Sequence, residues 1–267
     1  MKYSVMTMPM AFSVMVKYHF DRDEEEMREA YCEMLDMIAE AGYVGVDVMD
    51  AEVRMFGMEQ MKSALSERGL CIASYLVMEA FAPSDAGCIA VAKELGAACV
   101  MLVPAYKEEY DGMSGADIRA ELIRRWTPIV QAARDEKIPI VAEDTPDLRL
   151  HFCRREEVGD VLDGLDGLQL VYDSANMLLV GEDPAAYAHH FKGKIAHVHF
   201  KDMQSDKEDK AAFPGTGLVD LPAVMRTLIE DGYDGWLTVE LKIDERGHRR
   251  ALADALAFAR RCCGEKE

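Results

Sequence analysis

The stretch KIAHVHFKDM (residues 194–203) has the pattern of a buried strand that ends in polar side chains. His197, His199 and Lys201 alternate within it, and alternating positions of a strand share one face. Imidazoles bind metal ions, and an ammonium group binds anionic oxygen. Whether this polar face lines a binding site or faces solvent depends on the strands that lie beside it.

Similar apolar runs recur along the chain, separated by amphipathic stretches. The runs are 3–8, 44–49, 71–77, 98–103, 138–143, 168–173, 195–200 and 236–241. Between the first two, residues 23–42 open with acids and end at Gly42, which is typical of a helix start and stop. Strands that alternate with helices indicate parallel βαβ units.

Eight such units in 267 residues predict an α/β fold, a closed (β/α)8 barrel that forms one domain over residues 1–267. The connections after the first strand (9–22), the third and the seventh are long. Long βα loops lie at the C-terminal mouth of such a barrel, where functional loops belong. The mouth is therefore where we expect a site.

Composition argues against several classes of partner. The formal net charge is −19, and the arginine pairs are scattered rather than arranged in a basic stripe, so we expect no nucleic-acid binding. No apolar run approaches the roughly 20 residues that span a membrane. The stretch 3–16 has only Lys2 before it and Pro9 within it, and we interpret it as a strand and loop rather than a signal peptide.

The seven cysteines show no disulfide-framework or CxxC spacing. Most of them lie in apolar runs, which is typical of buried thiols in a reducing compartment. We therefore expect a cytoplasmic protein. The sequence allows a homo-oligomer and does not define one.

Four potential metal ligands stand at the ends of late strands: Glu143, Asp173, His199 and Glu240. Each follows the previous one by about one βα unit, and consecutive strand ends are neighbours around the mouth of a closed barrel. Three buried carboxylates repel one another unless a cation lies between them. Carboxylates with one imidazole suit Mn²⁺ best, Mg²⁺ or Co²⁺ also, and Zn²⁺ less well.

Several motifs, in this order, resemble the xylose isomerase-like barrel superfamily. They are GYVGVD (42–47), AED (142–144), YDSAN (172–176), HVHFKD (197–202), GTGLVD (215–220) and GYDGWLTVEL (232–241). The resemblance is to the sugar phosphate isomerase/epimerase branch, with ketose 3-epimerases, hydroxypyruvate isomerase and inosose dehydratase as relatives. It covers nearly the whole chain.

The resemblance implies one divalent metal held by Glu143, Asp173, His199 and Glu240. It also implies that Glu143 and Glu240 are catalytic and move protons on opposite faces of the substrate. One position departs from the epimerase pattern: Asn176 stands where those enzymes have a histidine that touches substrate. The endonuclease IV relatives are excluded, because GTGLVD lacks their Asp-x-His and the chain has only seven histidines.

The candidate substrate contacts are Asn176, Lys201, His197, Arg246 and Tyr75. Lys201 either holds a substrate oxygen or pairs with a neighbouring acid. His197 lies deeper in its strand than His199, which favours an interior hydrogen-bonding role. The GTG of residues 215–217 lacks the rest of a phosphate-binding loop, which favours a simple turn.

These features predict an enzyme that acts on a small carbohydrate, removing a proton next to a carbonyl. Return of the proton gives an isomerase or epimerase, which is our main expectation. Loss of a leaving group gives a lyase, such as a dehydratase of a keto-inositol or a 3-keto-glycoside. A non-catalytic sugar-binding barrel is the alternative of another class, and the retention of two glutamates beside the ligands argues against it.

Overall fold

The computed structural model describes residues 1–11, 24–80, 84–243 and 245–265. Most of the predicted loop 9–22 thus lies outside the described residues. Within them, no helix combines the length and apolar composition needed to cross a bilayer.

Eight parallel strands close into a barrel, which confirms the predicted (β/α)8 fold. They are β1 (Lys2–Met6), β2 (Gly45–Met49), β3 (Cys71–Met78), β4 (Val100–Val103), β5 (Ile140–Glu143), β6 (Leu168–Asp173), β7 (Ile195–Phe200) and β10 (Trp236–Val239). Around the barrel the order is β1, β10, β7, β6, β5, β4, β3, β2. Two short strands that the sequence did not predict, β8 (Asp202–Met203) and β9 (Ala211–Ala212), pair in antiparallel fashion after β7.

Helices follow the barrel strands and pack around them. They are α1 (Glu24–Ala41), α2 (Asp50–Phe56), α3 (Met58–Glu67), α4 (Gly87–Leu95), α5 (Gly115–Glu136), α6 (Arg155–Gly164), α7 (Pro184–His190), α8 (Leu221–Glu230) and α9 (His248–Cys262). In the part of the chain that the structure describes, three short 3₁₀ segments lie at Glu108–Tyr110, Leu148–Leu150 and Asn176–Val180.

Apolar side chains fill two separate layers. The larger layer lies between the strands and the helices. A smaller cluster packs together apart from it; its buried members are Met6, Met49, Leu76, Cys99, Met101, Val141 and Val171. Cys99 directly precedes β4, and the other six come from six of the barrel strands. Val141 and Val171 share the strand faces of Glu143 and Asp173, so the cluster forms an apolar filling inside the barrel.

The segment after β9 wraps around the carboxylate of Asp202. The backbone amides of Gly215 and Gly217 donate to Asp202 Oδ2 at 2.9 and 2.8 Å, and those of Met203 and Val219 donate to Oδ1 at 2.9 and 3.1 Å. The two glycine amides of GTG are thus bound by the chain's own carboxylate, and the Thr216 amide donates to the carbonyl oxygen of Phe213, which agrees with a turn.

A second buried carboxylate, Glu52 of α2, ties the helix start to β1 and α1. The Thr7 hydroxyl lies 2.8 Å from both of its oxygens, the Tyr31 hydroxyl donates to Oε2 at 2.5 Å, and the Met49 amide donates to Oε1 at 3.2 Å. Burial raises the pKa of Glu52 to about 7, although these hydrogen bonds lower it in part.

Replacing Gly217 with alanine is expected to lower the free energy of unfolding by about 1–3 kcal/mol. A methyl group there would overlap Asp202 Oδ1 and the carbonyl oxygen of Met203. Gly159→Ala is the matched control: it lies inside α6 with open space around it, and alanine there should stabilise by about 0.5–1 kcal/mol. Urea unfolding of both variants measures the difference, and equal effects would contradict the packing argument.

Glu52 is expected to make stability fall as pH rises. Its pKa is 4.5 ordinarily and about 7 in the fold, so the folded state binds the extra proton between these values. The stabilisation is complete below pH 4.5, is lost as pH rises to 7, and amounts to about 3 kcal/mol. Unfolding of wild type and Glu52→Gln between pH 4 and 8 tests this, because the glutamine variant should lack the difference. Parallel pH profiles would show that Glu52 does not titrate in this way.

Candidate metal centre

Four side chains from four parts of the chain meet at the C-terminal mouth of the barrel. Glu143 ends β5, Asp173 ends β6, His199 lies in β7, and Glu240 follows β10 directly. One donor atom from each lies within 4.8 Å of the others. The structure therefore brings together the four residues proposed as metal ligands.

His199 stands at the centre of this cluster. Its Nδ1 lies 2.6 Å from Glu143 Oε1 and 3.9 Å from Glu240 Oε2, and its Nε2 lies 3.3 Å from Asp47 Oδ2. Burial lowers the pKa of His199, but the carboxylates of Glu143 and Asp47 raise it well above 6.5 in balance. A field that holds a proton on this ring also favours a metal cation there.

Asp173 is the deepest carboxylate of the cluster. Its Oδ1 accepts hydrogen bonds from the backbone amides of Ala175 and Asn176 at 2.8 and 2.9 Å. Its Oδ2 is buried and has no hydrogen-bond partner within the described residues. Burial, reinforced by the charges of Glu240 and Glu143 and opposed by Lys201, raises the pKa of Asp173 to about 7.

This donor set fits a divalent cation. Three carboxylates share a small, largely buried space, and a buried carboxylate oxygen without a partner is costly unless a cation or proton satisfies it. Oxygen donors with one imidazole match the preferences of Mn²⁺, Mg²⁺ or Co²⁺, and Zn²⁺ accepts the same groups.

Lys201 lies beside the cluster and is buried. Its Nζ is 3.1 Å from Asn176 Oδ1, 3.5 Å from Glu240 Oε1 and 3.3 Å from Asp209 Oδ1. Burial lowers the pKa of Lys201, but the carboxylates of Glu240, Asp173 and Asp209 together have the larger effect, and the net pKa lies well above its usual value. The ammonium group thus pairs with acids, and its contact with a substrate oxygen stays a prediction.

Asn176 holds Lys201 in place. Its Nδ2 donates to the carbonyl oxygen of Asp144 at 2.8 Å, while its Oδ1 accepts from Lys201 Nζ. Both ends of the amide therefore have partners within the protein. A substrate contact by Asn176 would have to share one of these hydrogen bonds.

His197 and Tyr75 do not join the site. His197 is fully buried beneath His199, with its Nε2 2.8 Å from both Asp47 Oδ2 and Thr238 Oγ1, so it is an interior hydrogen-bonding group rather than a substrate contact. Tyr75 packs in the outer apolar layer, on the face of β3 opposite to Leu76. Tyr75 is therefore not a substrate contact at this mouth, because its strand position turns it towards the helices.

Arg246 follows β10 and has protein partners. Its guanidinium carbon lies 3.7 Å from the ring centroid of Phe213, and its Nη1 donates to Asp254 at 3.2 Å. A contact between Arg246 and an anionic substrate group stays a prediction.

Sequence reasoning gave no role to Asp47, although it belongs to the GYVGVD motif. It faces the barrel interior from β2 and meets both His197 and His199 through Oδ2. Burial raises the pKa of Asp47, but the two imidazoles lower it below its usual range in balance. The sequence did hold a signal for Asp47: it is the one acid in the apolar run 44–49, and a buried acid requires a hydrogen-bonding or charged partner.

Comparisons with known proteins agree with the fold and the motifs. The family model described as xylose isomerase-like TIM barrel matches residues 35–262. An inosose dehydratase of Lacticaseibacillus casei is 33% identical over 95 residues, which is 30% of this chain and 32% of the relative. The chain thus matches about a third of the length of this curated relative.

Two solved structures resemble nearly the whole chain. A D-tagatose 3-epimerase-like protein has a TM-score of 0.76 at 17% identity and covers 99% of this chain and 97% of its own. The IolI protein with a bound zinc atom has a TM-score of 0.75 at 17% identity, over 99% and 98%. At such identities these likenesses concern the fold alone. The family match, which spans most of the chain, establishes membership: this chain belongs to the xylose isomerase-like TIM barrel family.

Proposed function

We propose that this chain is a divalent-metal-dependent isomerase or epimerase of a keto-sugar or a related polyol carbonyl compound. The observation that carries the proposal is the convergence of Glu143, Asp173, His199 and Glu240 at the barrel mouth. Its curated relatives include inosose dehydratases, which are enzymes.

The same four residues would hold the metal, with Mn²⁺ favoured by the oxygen-rich donor set. When bound, such an ion supplies Lewis-acid polarisation of a carbonyl, which acidifies the neighbouring C–H. Glu143 and Glu240 keep part of their side-chain surface exposed, so a substrate would approach the cluster from the mouth.

Glu143 and Glu240 are the proposed proton-transfer groups. Their side chains keep 11% and 18% of their surface exposed, whereas His199 beside them is fully covered. Burial raises the pKa of Glu143, but His199 and Lys201 lower it below its usual value in balance, so Glu143 is ionised and able to accept a proton. Glu240 reaches the cluster from a different strand end and would return a proton from another direction.

Lys201 is the proposed anchor for a substrate oxygen. Its buried ammonium group stands beside Glu240 and is oriented by Asn176. A fixed positive charge in this position would stabilise negative charge that develops on a substrate oxygen during proton abstraction.

A dehydratase is the second candidate, and two observations favour it. The curated relatives include inosose dehydratases, and Asn176 stands where the family resemblance gives ketose epimerases a substrate-touching histidine. The first step would be the same, removal of a proton beside a carbonyl by a glutamate. A hydroxyl group on the next carbon would then leave as water with a proton supplied by the protein.

Asp173→Asn is expected to weaken divalent-metal binding by at least about tenfold, because it removes a charged ligand while keeping the shape of the side chain. Asp209→Asn is the matched control, since Asp209 touches Lys201 without belonging to the donor set. Metal analysis and chelator competition measure the affinities of wild type and both variants. Equal affinity for wild type and Asp173→Asn would contradict the proposed centre.

Glu240→Gln is expected to lower turnover by about 10²–10⁴-fold with the fold retained, measured with enough added metal ion to load a site that has lost one charged ligand. A panel of keto-sugars and keto-inositols in D₂O, followed by NMR, measures the reaction. Deuterium next to the carbonyl supports the shared proton-abstraction step, and a product lighter by one water identifies a dehydratase. Glu245→Gln, an exposed loop residue, is the control. Unchanged turnover in Glu240→Gln would remove Glu240 from the proton-transfer role.

A further inference from the structure

A continuous chain of polar side chains crosses the barrel interior beneath the metal-centre cluster. Ser4 Oγ and Thr238 Oγ1 lie 2.6 Å apart, and Thr238 Oγ1 lies 2.8 Å from His197 Nε2. His197 Nε2 then lies 2.8 Å from Asp47 Oδ2, which is 3.3 Å from His199 Nε2. All five residues are at most 1% exposed, and two atoms of the chain, Asp47 Oδ1 and His197 Nδ1, have no hydrogen-bond partner among the described residues.

Both ring nitrogens of His199 face carboxylates, which only accept hydrogen bonds: Nε2 faces Asp47 at 3.3 Å and Nδ1 faces Glu143 at 2.6 Å. If His199 is to ligate a metal together with Glu143 and Glu240, Nδ1 would have to give up its proton. The proton that remains would then be the one on Nε2, which Asp47 holds. With the opposite tautomer, Nδ1–H would point at the proposed metal and could not ligate it.

His197 and Thr238 in turn hold Asp47. One oxygen, Oδ2, meets both imidazoles, whose ring planes lie at 84° to each other with centroids 5.5 Å apart. The oxygen that faces His199 is therefore also held by His197, and a rotation of the carboxylate away from either ring would lose that contact.

We propose that Asp47 is a positioning residue of the metal centre: it fixes the tautomer and the ring orientation of His199, with His197 and Thr238 as its support. The inference rests on the proposed metal-dependent function. Asp47 reaches neither Glu143, Glu240 nor the mouth through any hydrogen bond that the structure describes, so it acts through His199. Carboxylate partners of metal-binding imidazoles commonly raise metal affinity in this way.

Asp47, His197 and His199 also lie close enough to one another to resemble a second metal site. All three are fully enclosed, and His197 and Asp47 already bond to each other at 2.8 Å. The cluster at the mouth offers three carboxylates and access for a hydrated ion, which the enclosed trio does not. The trio is therefore assigned to support rather than to a second cation.

Asp47→Asn is expected to weaken Zn²⁺ and Co²⁺ binding by about 10–100-fold and to change the visible spectrum of the Co²⁺ protein. Ser74→Ala is the matched control, because Ser74 lies opposite Asp47 in β3, is buried, and has a hydroxyl oxygen without a hydrogen-bond partner among the described residues. It should keep the wild-type affinity and spectrum. Equal affinities for wild type, Asp47→Asn and Ser74→Ala would overturn the role of Asp47.

A measurement on the wild-type protein decides the same point if Asp47→Asn does not fold. Long-range ¹H–¹⁵N spectra of the Zn²⁺-loaded, histidine-labelled protein should show His199 protonated at Nε2 and metal-bound at Nδ1. Zinc-bound His199 with its proton on Nδ1 would overturn the inference and leave the metal centre standing. Wild-type protein that binds neither ion would instead overturn the proposed function, and the role of Asp47 with it.

Discussion

Electrostatic repulsion among three carboxylates inside a closed barrel is the constraint on which the site depends. Glu143, Asp173 and Glu240 each place a carboxylate oxygen within 4.8 Å of the others, and the positive charge of Lys201 offsets only part of their negative charge. Burial raises the pKa of Asp173, and the charges of Glu240 and Glu143 raise it further. A fold keeps such a cluster only where something compensates it, and the donor chemistry favours a divalent ion as that compensation.

The strand pattern explains why these side chains meet. Parallel strands of a closed barrel alternate between an outer face that packs on helices and an inner face that fills the barrel. In β5 and β6 the inner face changes towards the mouth from Val141 to Glu143 and from Val171 to Asp173. In β7 the inner face is polar at both levels, with His197 below His199. The ends of the late strands therefore place the proposed ligands at one end of the barrel.

The barrel and the four clustered residues were predictable because they depend on local features: short apolar runs, and one polar residue at each late strand end. The role of Asp47 was not predictable in this way, since its partners His197 and His199 are far away in the sequence and meet it only when the barrel closes. Tyr75 was misplaced because β3 is apolar on both faces, which removes the alternation that would reveal its direction. The β8–β9 pair escaped detection because two-residue strands leave no periodic pattern.

The turn around Asp202 has a consequence for the choice of substrate. Four backbone amides there already donate to the carboxylate of Asp202. Because this carboxylate belongs to the same chain, a phosphate ester in solution would have to compete with its high effective concentration. A phosphorylated sugar gains nothing from this loop while Asp202 remains. A variant of this protein that bound phosphate with these amides would have to lack the Asp202 carboxylate. It would then also lack the hydrogen bonds that shape the turn.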